Sequence, residues 1–185
     1  MHDGACSEKR MGLCQVISLL VLTVPVPEEP TALVQDSTGQ SFTGQSNLLD
    51  GSLKPCTTSS DSGATGVFRS GSCEWTAEDS GYHEVCVEVS EKFLKSSASN
   101  DGNDLTSVVK PGGHWCICAW AWASAVERDP ANKQDLKLQC EATNGKLREV
   151  YESYDNLDSP SGQRYESKAA LKAVDQLCPN GGGDL

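Results

Sequence analysis

The sequence predicts an α+β domain in which a small mixed sheet is covered by three or four helices, with an extended arm at the N-terminus. Two observations lead to this class. Alternating apolar residues, which are typical of strands, occur at residues 83–89, 114–119 and 136–142. Apolar residues at spacings of three and four, which are typical of helices, follow these segments and recur near the C-terminus. Strands and helices therefore alternate along the chain after residue 81.

The strand pattern is clearest at residues 83–89. Val85, Val87 and Val89 share one face of the segment. The residues of the opposite face are Glu84, Cys86 and Glu88. An apolar face opposite a polar one predicts a strand that is buried on one side only.

Residues 114–119 form the second alternating segment, in which we predict the central strand of the sheet. Its core-like face consists of Trp115, Ile117 and Ala119. Its other face, which carries side chains suited to chemistry, consists of His114, Cys116 and Cys118. A short strand at residues 66–69 and an alternating segment at residues 136–142 complete the predicted sheet.

Helices are predicted after three of the strands and near the C-terminus. The first begins after Ser90, a typical N-cap residue, and the second runs on from residue 119 until Pro130 ends it. The third follows Thr143 or Asn144 as its cap, and the last spans residues 166–177.

The chain divides into an N-terminal arm (residues 1–46), an α+β domain (residues 47–157) and a C-terminal helix with a flexible tail (residues 158–185). The apolar stretch at residues 12–24 is shorter than the roughly 20 residues of a transmembrane helix. Basic residues before it resemble a secretory signal, but no small-x-small cleavage site follows. We expect this stretch to bind another protein through Val16, Ile17, Leu19, Leu20, Val21 and Leu22.

The charge of the chain argues against some partners. It has 26 acidic and 15 basic side chains, for a net charge of −11. Nucleic acids and anionic membranes are bound by clustered Lys and Arg, and the sequence has no such cluster. We therefore expect protein partners, no nucleic acid, and membrane association only through those partners.

Nine cysteines are an odd and rather high number for a chain of 185 residues. Individually, each is expected to fill the core as a small apolar residue. A metal site is the alternative, because thiolates and imidazoles bind zinc or iron–sulfur clusters. Its candidate ligands are Cys86, His114, Cys116 and Cys118. The spacing argues against a zinc site, because such sites usually have two C-x₂₋₄-C segments and this chain has a single C-x-C pair.

Catalysis is the less favoured prediction, with Cys116, Cys118 and His83 as its candidate residues. A helix that begins just after Cys118 would favour the thiolate form of that cysteine. A thiol-redox pair of Cys116 and Cys118 is a further possibility. Their Cα atoms would be about 7 Å apart on one strand face, a distance that allows them to share a metal ion but is near the limit for a disulfide. No nucleophile elbow, phosphate loop or dinucleotide motif accompanies these residues.

Between about residues 53 and 154 the chain resembles a bacterial and algal family known as domain of unknown function 2237. The resemblance includes Thr65-Gly66-Val67-Phe68-Arg69-Ser70-Gly71-Ser72-Cys73, close to the family's TGFYRDGxC. The other matching segments, in the same order as in the family, are residues 53–56, 78–86, 91–94, 102–105, 110–112, 115–118 and 141–143. The resemblance implies a domain type but no activity, and its occurrence in algae suggests an organellar host.

These observations predict a non-enzymatic structural or interaction subunit of a larger assembly, such as an organellar complex of the photosystem type. A plastid or another organelle is the expected location, with the cytoplasm as the alternative. The alternative function is a thiol-redox or metal-binding protein or enzyme centred on Cys86, Cys116, Cys118 and His114.

Overall fold

The structure is a computed structural model that describes residues 34–35, 41–42, 44–57, 65–100, 102–128, 136–159 and 162–179. The predicted partner-binding stretch at residues 16–22 and the predicted helix end at Pro130 lie outside these residues. Among the described residues, no helix is long and apolar enough to cross a membrane.

Seven strands and four helices occur in the described part of the chain. The strands are β1 (Val34–Gln35), β2 (Ser41–Phe42), β3 (Val85–Val89), β4 (His114–Ile117), β5 (Leu136–Leu138), β6 (Asn156–Asp158) and β7 (Arg164–Glu166). The helices are α1 (Glu91–Asn100), α2 (Ala119–Arg128), α3 (Lys146–Ser153) and α4 (Ser167–Leu177). The predicted α+β class is confirmed.

The main sheet has three strands in the order β4-β3-β5, and both pairings are antiparallel rather than mixed. The central strand is therefore β3, and the prediction that residues 114–119 form the centre was wrong. Strand order depends on pairing between distant segments, which the alternation within one segment does not report. The register places Cys86 of β3 opposite Cys116 of β4.

Strand β3 is buried on one face and largely buried on the other, where Glu88 is partly exposed, whereas the sequence predicted one exposed face. Val85, Val87 and Val89 face a core that includes Trp120, Trp122 and residues of all four helices. On the other face Glu84 and Cys86 are also fully buried. The segments packed over this face come from residues 44–57 and 65–84, which contain no helix or strand and so gave no periodic pattern.

The predicted helices are present, and the predicted cap at Ser90 is confirmed. Ser90 Oγ accepts a hydrogen bond from the Phe93 amide at 3.0 Å, as an N-cap should. At the start of α3 the N-cap is Gly145 rather than the predicted Thr143 or Asn144, although Asn144 Oδ1 accepts a hydrogen bond from the Lys146 amide at 3.0 Å. The start of α2 packs onto α3 through a hydrogen bond from the Tyr151 hydroxyl to the Ala119 carbonyl at 2.8 Å.

Two local predictions need correction, and one hairpin was not predicted. Residues 66–69 form a turn rather than a strand, with Gly66 and Arg69 at φ values of 81° and 57° and a hydrogen bond between them. Strand β5 ends at Leu138 because Gln139 begins a turn closed by the Ala142 amide. The hairpin of β6 and β7 was not predicted, since its strands have only three residues each.

Candidate functional site

Four buried cysteines lie together on the face of the sheet opposite the valines, and we call them the four-cysteine cluster. They are Cys56, Cys73, Cys86 and Cys116, each at most 3% exposed. They form two disulfides, Cys56–Cys86 and Cys73–Cys116, with Cα–Cα distances of 5.6 and 5.4 Å. The sulfurs of Cys56, Cys73 and Cys116 all lie within 4.8 Å of one another, so the two disulfides are in close contact.

The cluster joins the sheet to the two segments that cover it. Cys86 and Cys116 are opposite each other on neighbouring strands, yet each bonds to a cysteine outside the sheet. Cys56 and Cys73 come from the covering segments. The disulfides thus attach two irregular segments to the sheet's two longest strands.

Hydrogen bonds fix the backbone of the cluster independently of the disulfides. Thr143 Oγ1 accepts a hydrogen bond from the Cys86 amide at 3.0 Å. In the same way, Thr65 Oγ1 accepts one from the Cys116 amide at 2.9 Å. Both threonines are fully buried, so these hydroxyls leave neither amide unpaired in the protein interior.

A cleft of about 420 Å³ opens beside the cluster, along β4 and the turn at residues 66–69. Its apolar lining includes Leu105, Val108, Trp115 and Ile117. Its charged and polar lining includes Arg69, Asp79 and His83. Cys116 and Cys118 lie in the wall, so the three predicted catalytic candidates do meet at one cleft.

Asp79 and His83 form a pair in this cleft. The Asp79 carboxylate accepts hydrogen bonds from the Gly81 and His83 amides at 3.0 and 2.7 Å, and His83 Nδ1 lies 2.9 Å from it. Burial raises the pKa of Asp79, but the hydrogen bonds and the charge of His83 outweigh it, and the pKa is lowered overall. A Cβ on Gly81 would lie 2.3 Å from His83 Cε1, so the ring packs directly on this glycine.

Cys118 is the one cysteine among the described residues without a disulfide. Helix α2 begins at the next residue, as predicted, and the Cys118 carbonyl accepts the Ala121 amide at 3.0 Å. The side chain is nevertheless 5% exposed, and burial, with the charge of Asp79, raises the pKa of its thiol to about 12. The effect of the helix N-terminus is therefore outweighed, and the thiol is protonated at neutral pH.

The predicted metal ligands are only partly brought together. Cys86 and Cys116 belong to the four-cysteine cluster, whereas Cys118 is buried in the core on the valine side of the sheet. His114 lies at the opposite end of β4, where it pairs with Glu88 of β3. Of the predicted redox pair, Cys116 is bonded to Cys73, and Cys118 is not in a disulfide.

Sequence reasoning missed two acidic residues of this region. Asp79 could have been found from Asp79-Ser80-Gly81, because an aspartate two residues before a glycine often accepts that residue's amide in a turn. Glu84 is fully buried, and burial, followed by the charge of Asp79, raises its pKa to about 8 against the opposing charge of Lys146. Its place in an alternating strand had indicated exposure instead.

The fold and this site define a class of small α+β domain in which disulfides join irregular segments to one face of a short antiparallel sheet. The chain belongs to the family described as uncharacterized protein conserved in bacteria (DUF2237), which it matches over residues 46–157. The resemblance found in the sequence is thereby confirmed. No curated protein matches the sequence.

Proposed function

We propose that the protein is a non-enzymatic interaction subunit of a larger protein assembly, and that its cleft binds a segment of a partner protein. The observation that carries this proposal is the exposure of two apolar side chains beside the cleft. Phe68, between two lining residues, is 57% exposed, and Val108, itself in the wall, is 40% exposed. Apolar side chains grouped at a concave surface are typical of binding sites.

The charges of the cleft support a particular kind of partner. Asp79 and Asp104 both have pKa values below the ordinary value and are therefore carboxylates at neutral pH. For Asp79 the hydrogen bonds of His83 overcome burial, and for Asp104 the cause is hydrogen bonding to Thr106. Arg69 is the cation in the lining. We infer a partner segment that places an apolar side chain between Phe68 and Val108 and a basic side chain beside the two carboxylates.

The thiols of the cleft support binding rather than catalysis. Cys116 is held in a disulfide, and Cys118 is protonated because its pKa is raised to about 12 by burial and by the charge of Asp79. A nucleophilic cysteine needs the opposite shift, toward a thiolate at neutral pH. The buried disulfides instead support a cleft wall of fixed shape, which lowers the ordering cost of binding.

A peptide selection tests the cleft. Short random peptides are displayed and selected on the full chain with its disulfides intact, and we expect enrichment of sequences that combine apolar and basic residues. Fluorescence anisotropy then measures the affinity of a selected peptide for the wild type and for Phe68→Glu and Val108→Glu. Each substitution should raise the Kd at least about tenfold, which corresponds to about 1.4 kcal/mol.

Leu49→Glu is the matched control, because Leu49 is also an exposed apolar residue, at 37%, but does not line the cleft. Its affinity should equal that of the wild type. Equal affinities for all four proteins, or no enrichment of peptides, would contradict cleft binding.

The host assembly and the arm belong to the same proposal. An organellar complex of the photosystem type remains the proposed host, and Val16, Ile17, Leu19, Leu20, Val21 and Leu22 remain the proposed contact of the arm. Pull-down of partners with the full chain and with a chain that lacks residues 1–46 tests the arm. The proposal predicts loss of at least one partner, and an identical set of partners would refute it.

A further inference from the structure

The four-cysteine cluster can exist in a second chemical state. We propose that, when both disulfides are reduced, Cys56, Cys73, Cys86 and Cys116 bind one zinc ion as four thiolates. This inference is independent of what the cleft binds. It also differs from the metal site expected from the sequence, because Cys56 and Cys73 replace His114 and Cys118 as ligands.

The positions of the sulfurs carry the proposal. Zinc with four thiolates is tetrahedral, with Zn–S bonds of about 2.3 Å, which places the sulfurs roughly 3.8 Å apart. Three of the four sulfurs already lie within 4.8 Å of one another, and the fourth, of Cys86, is bonded to that of Cys56. Cys56 Sγ therefore needs to approach the sulfurs of Cys73 and Cys116 by no more than about 1 Å. The sulfurs of each reduced disulfide separate from 2.00 and 2.11 Å to about 3.8 Å, and rotation about the Cα–Cβ bonds provides such movement.

The backbone of each ligand is fixed by a contact that reduction leaves in place. Besides the two threonine contacts of Cys86 and Cys116, the Cys56 amide donates to the Gly71 carbonyl at 2.9 Å. Asn144 Nδ2 donates to the Cys73 carbonyl at 3.4 Å. A site formed in advance by the fold binds a metal ion at a lower ordering cost than scattered cysteines do.

The cleft reaches the cluster at Cys116, which lines it together with Gly66. The position of a Cβ on Gly66 would lie 3.7 Å from Cys116 Sγ, so this glycine leaves room beside the sulfur. Cys116 is nevertheless only 2% exposed, and its disulfide partner Cys73 is fully buried.

The chemistry balances with an external thiol as the reductant. Each disulfide takes two electrons and two protons from two thiol groups, which become a disulfide in turn, so that two disulfides give four cysteine thiols. Zinc binding then releases the four protons of these thiols, and the ion keeps its oxidation state. Reoxidation by a disulfide or by oxygen would reverse both steps and release the ion.

The two states correspond to two kinds of compartment. Disulfides persist where the surroundings are oxidising, whereas the glutathione of the cytosol keeps thiols reduced. In the first case the disulfides attach the covering segments to the sheet, and in the second the zinc ion would attach them. The cluster would thus serve the same structural purpose in either compartment.

Cobalt spectroscopy on the full chain tests the proposal. The protein is reduced with a phosphine, which binds divalent metals weakly, and Co²⁺ is added as an optical probe before Zn²⁺. We expect one Co²⁺ per chain with the intense visible bands of a tetrahedral thiolate site, and their loss when Zn²⁺ is added.

Cys140 and Cys178 form a third disulfide, with a Cα–Cα distance of 5.6 Å. It supplies the matched control, because both cysteines lie outside the cluster. The double substitution Cys140→Ser/Cys178→Ser should leave the cobalt bands unchanged, whereas Cys73→Ser/Cys116→Ser should abolish them. Unchanged bands in the cluster variant would overturn the proposal, and so would the absence of stoichiometric cobalt in the wild type.

A second measurement needs no variant and so does not depend on whether the cluster variant folds. The reduced wild-type chain is alkylated with and without Zn²⁺, and each cysteine is quantified by mass spectrometry. Zinc should slow alkylation of the four cluster cysteines at least about tenfold and leave Cys140 and Cys178 unaffected. Equal protection of all six, or of none, would overturn the proposal. Peptide binding by the oxidised protein is unaffected by either result, so this proposal and cleft binding fail separately.

Discussion

The buried Glu84 makes the stability of the folded protein fall as the pH rises. Neither of its carboxylate oxygens has a hydrogen-bond partner among the described residues. Burial and the nearby charge of Asp79 raise its pKa from 4.5 to about 8, against a smaller opposing effect of Lys146. The unfolded chain releases this proton near pH 4.5, but the folded protein keeps it until about pH 8. The stability linked to Glu84 is therefore complete below the unfolded pKa and is lost as the pH rises through the folded pKa.

The size of the effect follows from the two pKa values. Each unit corresponds to about 1.4 kcal/mol, so a rise from 4.5 to about 8 corresponds to a loss of about 5 kcal/mol. Glu84→Gln removes the ionisable group and preserves the shape of the side chain, so the variant should not show this loss. The titration of Asp79 does not affect this comparison. Its pKa is lowered, so it changes the stability only when the pH falls below the ordinary pKa of 3.8.

Urea unfolding followed by tryptophan fluorescence measures this difference. The wild type and Glu84→Gln are compared without reductant between about pH 5 and about pH 8. The stability of the variant relative to the wild type should increase by about 4 kcal/mol over this range. Glu152→Gln, at an exposed position of α3, is the control and should follow the wild type. A difference between Glu84→Gln and the wild type that stays constant with pH would refute the reasoning.

Three further predictions concern the cysteines and their contacts. Iodoacetamide should modify Cys118 at about pH 8 roughly a thousandfold more slowly than a thiol with the ordinary pKa, because burial and the charge of Asp79 raise its pKa from 9.0 to about 12. Mass spectrometry of the oxidised protein measures the rate, and a rate typical of exposed thiols would contradict this prediction. Cys140→Ser/Cys178→Ser opens a 38-residue link and should lower the free energy of unfolding by about 4 kcal/mol in urea titrations, whereas a loss below about 1 kcal/mol would contradict a structural role. Thr65→Val removes the acceptor of the buried Cys116 amide and should cost about 1–3 kcal/mol by the same assay, and a neutral effect would show that the amide finds another partner.

The elements predicted correctly are those that depend on residues close together in the sequence. The alternation of Val85, Val87 and Val89 marks β3, and the cap at Ser90 marks the start of α1, because both depend on residues within one turn or one strand. The prediction of a strand at residues 66–69 was wrong. Val67 and Phe68 favour strands, but the backbone of Gly66 and Arg69 takes positive φ values that suit a turn.

The errors at the site have a common physical origin. Alternation assigns Glu84 and Cys86 to one face of a strand but does not report what covers that face. The cover consists of segments without periodicity, and disulfides attach it across sequence separations of 30 and 43 residues. Cysteine pairing over such distances cannot be deduced from sequence alone, and the nearby C-x-C pair suggested a partner for Cys116 that the structure does not use.

The two faces of the sheet are held by different forces. On the valine face, helices bury apolar side chains in a continuous core. On the cysteine face, the covering segments have no helix or strand between residues 65 and 84, so ladder hydrogen bonds do not offset the cost of ordering their backbone. Two disulfides and the contacts of Thr65 and Thr143 provide that compensation instead.

This division makes the cleft sensitive to the state of the cluster. Part of the cleft lining belongs to strand β4, which the sheet holds in place, and another part consists of Gly66, Val67, Arg69 and Asp79 of the covering segments. Reduction without metal would remove the covalent attachment of the covering segments and leave only their hydrogen bonds to the sheet, so peptide affinity should fall. Zinc at the reduced cluster would restore the attachment of Cys56 and Cys73 to the sheet, and affinity should recover. Peptide binding at the cleft is therefore expected to depend on the state of the cysteine cluster, because the cluster attaches the covering segments that form part of the cleft lining.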